Sequence, residues 1–311
     1  MKGPEEKKEH IVFQLAPLNE QQIHRFAVEK GVHNPNDFIK AIERADAMIF
    51  AQRPQDLLEL IQFWKSNGRL GSHAEMLDFN IKIKLAEHDP DRDRQRPLSG
   101  DDALWGAERL AAATTLQKKN AIILPDRPID AGLREVSIEP KEALPDWSSD
   151  KIQTLLDRAI FDEAIYGTVR FHHRSVREYL TAKWLKRLLD EGKSRRSIED
   201  LLFANRYGRD VVIPSMRPIA AWVAISDERV RNRLRMVAPE VLIENGDPSA
   251  LPVEFRKALL IGFTELYASR QYTGTSFDIT MIRRLADPQL APTINDLLER
   301  KTLGSDLNID I

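Results

Sequence analysis

The sequence predicts a mainly α-helical protein with three parts: a four-helix domain, a winged-helix domain with a small β-hairpin, and an α-helical repeat-like region. Three observations predict this fold class. Helix-capping residues followed by apolar residues at three- and four-residue spacing recur along most of the 311 residues. Short β-type runs occur at only a few places. Charged residues make up 30% of the chain and aromatic residues 7%, which is typical of a helix-rich protein.

Residues 1–17 contain a charged tail followed by one short apolar run, IVFQLAPL. The run predicts a strand at about 11–16. No other strong strand lies close to it in the sequence, so its pairing partners are not apparent. We therefore expect it to be the last strand of a sheet that these 311 residues do not contain.

Four helices joined by short turns are predicted over residues 18–90. Pro54 lies near the first turn of one of them, and Gly68 follows its last turn. Ser72 and Glu75 have the three-residue spacing of a capping box. The predicted helices are NEQQIHRFAVEKG, NPNDFIKAIERADAMIF, RPQDLLELIQFWKSNG and GSHAEMLDFNIKIKLAEHD.

The segment DPDRDRQRP follows these helices. Asp89, Asp91 and Asp93 alternate like the start of a calcium-binding loop. Such a loop needs glycine where Arg94 stands and glutamate where Gly100 stands. We therefore predict a solvated linker and no calcium site.

The next five elements, across residues 97–192, have the order of a winged-helix domain. They are a helix after Ser99, a strand at 121–125, a helix after Ser148 or Ser149, a hairpin at 159–172 with Gly167 in its turn, and the helix SVREYLTAKWLKRLLDEG. Residues 195–311 are predicted to be short helices without strands, separated by Pro and Gly, which is typical of a helical-repeat array.

The overall composition excludes several classes of function. The 46 Lys and Arg residues nearly balance the 48 Asp and Glu residues, so the net charge of −2 gives no general attraction to nucleic acid or to an anionic membrane. The absence of cysteine excludes disulfides, thiolate metal sites and cysteine nucleophiles. No apolar run reaches the roughly 20 residues that span a bilayer, and the N-terminus does not resemble a signal peptide. We expect a cytoplasmic protein.

A phosphate-binding loop would need the pattern GxxxxGK[ST] between a strand and a helix. The triplet Gly192-Lys193-Ser194 is the nearest match, but Arg187 stands where the first glycine should be. The triplet also ends a predicted helix. Its glycine is better explained as a helix C-cap, and we expect no ATPase activity from this chain alone.

Two histidines, His172 and His173, adjoin the start of the predicted helix at 175–190. Adjacent strand residues point to opposite faces, so the pair is poorly placed to share a metal ion. Helix starts favour anions, and Arg170, Arg174 and Arg177 lie close in sequence. The pattern is compatible with a bound phosphate or carboxylate. It is also compatible with one exposed histidine and one that caps the helix.

The run VRFHHRSVREYLTA resembles the signature F-x-H-x-S-x-x-E-[YF]-x-x-A that closes the winged-helix domain of NACHT-type signal-transduction ATPases, the STAND class. The matching residues are Phe171, His173, Ser175, Glu178, Tyr179 and Ala182. Upstream, APLNEQQIHRF and RPQDLLELIQFW resemble the helical lid domain of the same family. Pro54, with Leu57 behind it, matches the lid proline that lies against the bound adenine.

The resemblance implies a nucleotide-dependent switch. The histidine matching His173 would reach the β-phosphate of ADP and hold a closed, inactive state, with Arg174 and Pro54 as the other candidate nucleotide-binding residues. Exchange to ATP, together with an unknown protein ligand at the helical region 195–311, would open the complete protein and let it oligomerise. Bacterial relatives of this class often act in defence against phage. The phosphate loop and magnesium-binding residues are not present, so the resemblance is to the regulatory half alone.

Two other functions stay open at this point. The chain could be a nucleotide-free helical-repeat scaffold that binds a protein, in which His173 only caps a helix. It could instead be a winged-helix DNA binder, for which the cluster of Lys193, Arg195 and Arg196 offers some positive charge. Acidic neighbours dilute this cluster, and nucleic acid is the less expected partner.

Overall fold

The computed structural model describes residues 16–45, 47–268 and 284–302. The described chain is mainly α-helical with a small sheet of short strands, which confirms the predicted fold class. The strand expected at 11–16 lies almost wholly outside the described residues. The chain divides after Leu70 into two compact units.

The described part of the first unit contains four helices, α1 Glu20–Glu29, α2 Pro35–Arg44, α3 Met48–Ala51 and α4 Pro54–Asn67. The capping residues act as the sequence predicts. Asn19 and Gln22 form a reciprocal capping box at α1, Pro54 is the first residue of α4, and Gly68 ends α4 with a φ of 68°. Phe38 is fully buried, and its ring centroid lies 5.5 Å from that of Trp64.

The second unit begins with three helices, α5 His73–Leu85, α6 Pro90–Gln95 and α7 Gly100–Leu116. Helix α5 packs against α7 through a buried stripe of Leu77, Ile81 and Leu85. The sequence grouped this helix with residues 18–90, whereas its contacts place it in the second unit.

The linker predicted at DPDRDRQRP contains a short exposed helix, α6, capped by Asp89. Asp89 accepts the backbone N–H groups of Asp91 and Arg92, and Pro90 supplies the first helical residue. The predicted linker is exposed, as expected, and it contains one short helix because Asp89 is a good N-cap.

A four-stranded sheet lies at the centre of the second unit. Its strands are β1 Ala121–Ile123, β2 Ser137–Ile138, β3 Phe161–Glu163 and β4 Thr168–Phe171, in the order β2-β1-β4-β3. Strands β3 and β4 form the predicted hairpin, with Gly167 in its turn at a φ of 78°. Strand β2 pairs in parallel with β1 and was not predicted, because two residues are too few to show an alternating pattern.

The five elements expected over residues 97–192 are present in that order, and two further short helices and strand β2 lie between the first strand and the hairpin. Between the strands lie α8 Ala131–Val136, α9 Pro140–Ala143 and α10 Ser149–Leu156, and α11 Arg174–Asp190 follows β4. The main packing is between α7 and α11. This contact contains a half-buried ion pair, in which Arg187 Nε lies 2.8 Å from a carboxylate oxygen of the buried Glu108.

Residues from 195 onward contain α12 Arg195–Leu202, β5 Phe203–Arg206, β6 Arg209–Val212, α13 Arg217–Ser226, α14 Glu228–Val237, α15 Val241–Glu244, α16 Val253–Ala268 and α17 Ala291–Thr302, with short 3₁₀ turns between some of them. The prediction that this region has no strands was wrong. Helix α12 ends at Leu202, and an antiparallel hairpin of β5 and β6 follows. Its turn is Tyr-Gly, which lacks the Asn-Gly or Asp-Gly signal by which hairpins are usually found.

Candidate functional site

The candidate site lies where strand β4 ends and helix α11 begins. Phe171 is the last residue of β4 and Arg174 the first of α11, so His172 and His173 occupy the two residues between them. Helix α11 is 17 residues long, and its first backbone N–H groups point toward this corner. The side chains here determine what the helix start can bind.

His173 is the N-cap of α11. Its Nδ1 accepts the backbone N–H of Ser175 at 3.2 Å and lies 2.6 Å from the Ser175 hydroxyl. Since Nδ1 acts as an acceptor, the proton of the neutral ring is assigned to Nε2. Ser175 therefore fixes both the ring orientation and the tautomer, and it makes Nε2–H the hydrogen-bond donor of His173.

His172, which matches no position of the family signature, is not exposed. Its ring is half-buried, with Nδ1 3.0 Å from the carbonyl oxygen of Ile160, and its backbone N–H donates to the same oxygen at 3.1 Å. Both bonds attach the start of α11 to the segment before β3. We therefore assign His172 a structural role.

The two arginines after the histidines have partners on the protein. Arg174 Nε donates to Glu178 Oε1 at 2.7 Å, one turn along the same helix. Arg177 donates to the side-chain oxygen of Asn120, and burial lowers the pKa of its guanidinium. Arg174 is largely exposed and keeps a positive charge at the helix start, whereas Arg177 connects α11 to the loop before β1.

A third histidine, His73, interacts electrostatically with His173, although no sequence pattern singled it out. Burial lowers the pKa of His73 to about 4; Asp247 opposes this shift, and Arg284 and His173 add to it. His73 is the first residue of α5, and its ring centroid lies 5.4 Å from that of Trp222. No sequence pattern links His73 to His173, because they are about a hundred residues apart.

Asp247 connects the C-terminal helical region to helix α5. It is buried, and one of its carboxylate oxygens accepts the backbone N–H of Ala74 at 2.8 Å. The other oxygen accepts the backbone N–H and the hydroxyl of Ser249. The start of α5 is thereby held by a residue that lies 173 positions further along the chain.

Tyr179, a residue of the family-like signature, is half-buried against Trp222. The two ring centroids are 4.8 Å apart in an edge-to-face arrangement. Burial and the charge of Asp78, which also bonds its side chain, raise the pKa of the Tyr179 phenol well above its ordinary value. Asp78 is also 2.8 Å from Lys183 Nζ. The signature tyrosine therefore helps attach α11 to α5 and α13.

Pro54, the third candidate nucleotide-binding residue, lies in the first unit. It is exposed at the start of α4, and Leu57 behind it is fully buried. His173 and Arg174 lie in the second unit. The role of Pro54 against an adenine ring stays a prediction.

The corner at the start of α11 has three features that bear on what it could bind. It combines a helix start, a histidine with Nε2–H as its donor, and the positive charge of Arg174.

Within the described ranges, no three His, Asp or Glu side chains are grouped so that they could hold a metal ion. None of the described helices is long and apolar enough to cross a membrane. No protein-family model matches the chain, and no curated protein matches it.

Proposed function

We propose that the chain is the regulatory half of a STAND-type, NACHT-like signalling switch that closes on ADP. In this proposal His173 Nε2–H donates a hydrogen bond to the β-phosphate of ADP at the start of α11. The observation that carries the proposal is the contact between His173 Nδ1 and Ser175, because it fixes the tautomer that a phosphate needs.

The other candidate residues contribute weaker contacts. Pro54 offers an apolar surface to the adenine ring. Arg174 adds positive charge beside the phosphate; its Nε pairs with Glu178, so its terminal nitrogens are the donors that could face the phosphate. The nucleotide would be ADP or ATP, and the phosphate loop and magnesium-binding residues would come from an ATPase core that is not among these 311 residues. The chain alone would then not be an enzyme.

The helical region from residue 195 onward would receive the activating ligand, an unidentified protein. Asp247 accepts the backbone N–H of Ala74 at the start of α5 and interacts electrostatically with His73. Through these contacts the region from residue 195 onward could act on the rest of the second unit. Ligand binding and exchange to ATP would open the switch and allow self-oligomerisation. Defence against phage is the biological setting we propose for such a switch.

The proposal is tested by nucleotide-dependent assembly of the protein that joins this chain to an ATPase core. His173→Asn is the informative variant, since asparagine is a good N-cap and can still accept the Ser175 N–H, but it does not reach as far as Nε2. We expect this variant to oligomerise without its ligand, while the parent with ADP stays monomeric in light scattering. A variant that stays monomeric would contradict the proposal. So would the finding that neither the same reading frame nor a binding partner provides an ATPase core.

A nucleotide-free protein-binding scaffold is the second candidate function. The observation that favours it is that His173 already has a complete structural role as the N-cap of α11. The DNA-binding alternative has less support. The helix α10 that would enter the groove offers Lys151, but this lysine pairs with Asp102 at 3.1 Å and lies over the Trp147 ring.

A further inference from the structure

The tip of the β5–β6 hairpin carries three features that do not help the chain to fold. It is a two-residue turn in which Tyr207 and Gly208 have φ values of 53° and 76°, as in a type I′ turn. Asn, Asp or Gly is preferred at the first of these positions, and a tyrosine there is strained. The Tyr207 side chain is also fully exposed to solvent.

The third feature is a pair of like charges. Arg206 and Arg209 are direct cross-strand partners, so their side chains leave the same face of the hairpin about 5 Å apart at Cβ. Like charges in this position repel each other. Within the described part of the chain, neither arginine has an acidic partner.

The opposite face of the hairpin is conventional. Phe203 and Asp210 face helix α14, where Arg233 binds Asp210 at 2.7 and 2.8 Å and lies over the Phe203 ring. The carboxylate of Asp210 therefore pairs with Arg233 of α14. The tip is also braced, because Asn205 accepts the backbone N–H of Gly208 at 3.2 Å.

We propose that this hairpin tip, residues 206–209, binds single-stranded nucleic acid. A phosphate between the two guanidinium groups would remove their repulsion, and arginine suits phosphate because it can donate two parallel hydrogen bonds. A nucleic-acid base could stack on the Tyr207 ring, which the folded protein leaves exposed to solvent. The tip is convex, so it can make few contacts with a single nucleotide. A nucleic-acid strand is the better ligand, because several of its nucleotides can reach the tip at once.

The hairpin tip shares no residue with the proposed ADP site. Nucleic-acid binding at the tip is expected to be local and sensitive to salt. The net charge of the chain is −2, so the rest of the protein adds no general attraction. One phosphate held between the two arginines predicts a salt slope of only about −0.7 for a single strand. Binding is therefore expected at low salt and should weaken as salt is added.

The test is fluorescence anisotropy of a labelled oligothymidylate with the full 311-residue chain. Tyr207→Ala should weaken binding about tenfold with the salt slope unchanged, because it removes stacking and no charge. Arg206→Gln with Arg209→Gln should weaken binding at low salt and flatten the salt slope. Tyr207→Asn should raise the melting temperature, because asparagine suits the turn, and should still weaken binding.

Tyr166 provides a matched control. It is also exposed, precedes a glycine and has a φ of 42° at the tip of the β3–β4 hairpin, but oppositely charged Asp162 and Arg170 pair across that hairpin. Tyr166→Ala should leave binding unchanged. Equal losses in the two tyrosine variants, or no binding at low salt, would overturn the proposal. Displacement by poly-glutamate would instead indicate an acidic protein partner, and displacement by thymidine monophosphate at equal nucleotide concentration would indicate a free nucleotide.

Discussion

His73 shows how burial changes the chemistry of a single residue. Its pKa of about 4 in the folded chain lies below the ordinary 6.5, chiefly because of burial. Between these two values the unfolded chain binds more protons than the folded one. The folding free energy that this residue contributes is therefore fully present above pH 6.5 and is lost as the pH falls toward 4, by at most about 3 kcal/mol.

We predict that the second unit loses stability on acidification from pH 6.5 to 4, and that His73→Leu reduces this loss. The unfolding free energy can be measured by denaturant titration, and a histidine NMR titration gives the pKa of His73 directly. An unshifted His73 resonance, titrating near pH 6.5, would contradict the assignment.

The ion pair of Glu108 and Arg187 is asymmetric, and its two halves should respond differently to mutation. The Glu108 side chain is 1% exposed, whereas that of Arg187 is 40% exposed. Arg187→Ala leaves a buried carboxylate without its partner and should cost about 3 kcal/mol. Glu108→Gln leaves an arginine that can be hydrated, and should cost about 1 kcal/mol. Thermal unfolding of both variants tests this order, and equal melting temperatures would contradict it.

At the residue scale, the sequence predicted His173 at a helix start but not its surroundings. Capping is a local property, so the positions of Asn19, Ser72, Ser99 and Ser148 as N-caps could all be predicted. Asp247 and His73 reach the same region from distant parts of the chain, and no spacing rule brings them together. The bond that fixes His172 to Ile160 is likewise a tertiary contact, which no local sequence pattern predicts.

At the element scale, helix α7 depends on a residue without a side chain. A Cβ on Gly106 would lie 2.6 Å from the Trp147 ring and 2.7 Å from a methyl carbon of Leu155. Neither distance is allowed between real atoms, and both neighbours belong to the buried core. The close approach of α7 to α10 and the preceding loop therefore requires glycine at this position.

We predict that Gly106→Ala destabilises the protein by roughly 1–3 kcal/mol through overpacking. Gly262→Ala is the matched control, because Gly262 also lies inside a helix but a Cβ there would meet no atom within 4 Å. That change should be neutral or should stabilise the protein by up to about 1 kcal/mol, as expected for alanine in a helix. Circular dichroism melts of the two variants decide between these outcomes, and a loss of stability in both would contradict the packing argument.

The elements that could be predicted are those with a clear local pattern. Long helices such as α7 and α11 combine a cap with an apolar stripe, and the β3–β4 hairpin has a glycine in its turn. Strand β2 and the β5–β6 hairpin escaped prediction because their short runs depend on tertiary pairing and on a turn of unusual sequence. Strand identity is more dependent on context than helix identity.

At the scale of the whole molecule, the boundary after Leu70 has a direct consequence for fragments. A fragment of residues 71–311 keeps α5 and its buried residues Leu77, Ile81 and Leu85, whereas a fragment of residues 97–311 loses them. We predict that the longer fragment melts cooperatively and that the shorter one melts at a lower temperature or exposes apolar surface to a hydrophobic dye. Equal melting of the two would mean that α5 adds nothing to the second unit.

The lone chain should bind nucleotide only weakly. Without a phosphate loop, its affinity for ADP is expected to be millimolar or weaker, about −4 kcal/mol, with no ATPase activity above background. Isothermal titration calorimetry of the 311-residue chain with ADP tests this expectation. A micromolar dissociation constant would require a nucleotide site that does not depend on an ATPase core.

The most direct test of the switch is the rate at which ADP leaves the protein that joins this chain to an ATPase core. Loss of the His173 hydrogen bond removes about 1.5–3 kcal/mol, so ADP should leave His173→Asn and His173→Ala roughly ten- to a hundredfold faster than the parent. Because asparagine retains the helix cap, the asparagine variant separates phosphate binding from capping. ADP release from His173→Asn at the parental rate would show that His173 is only the N-cap of α11.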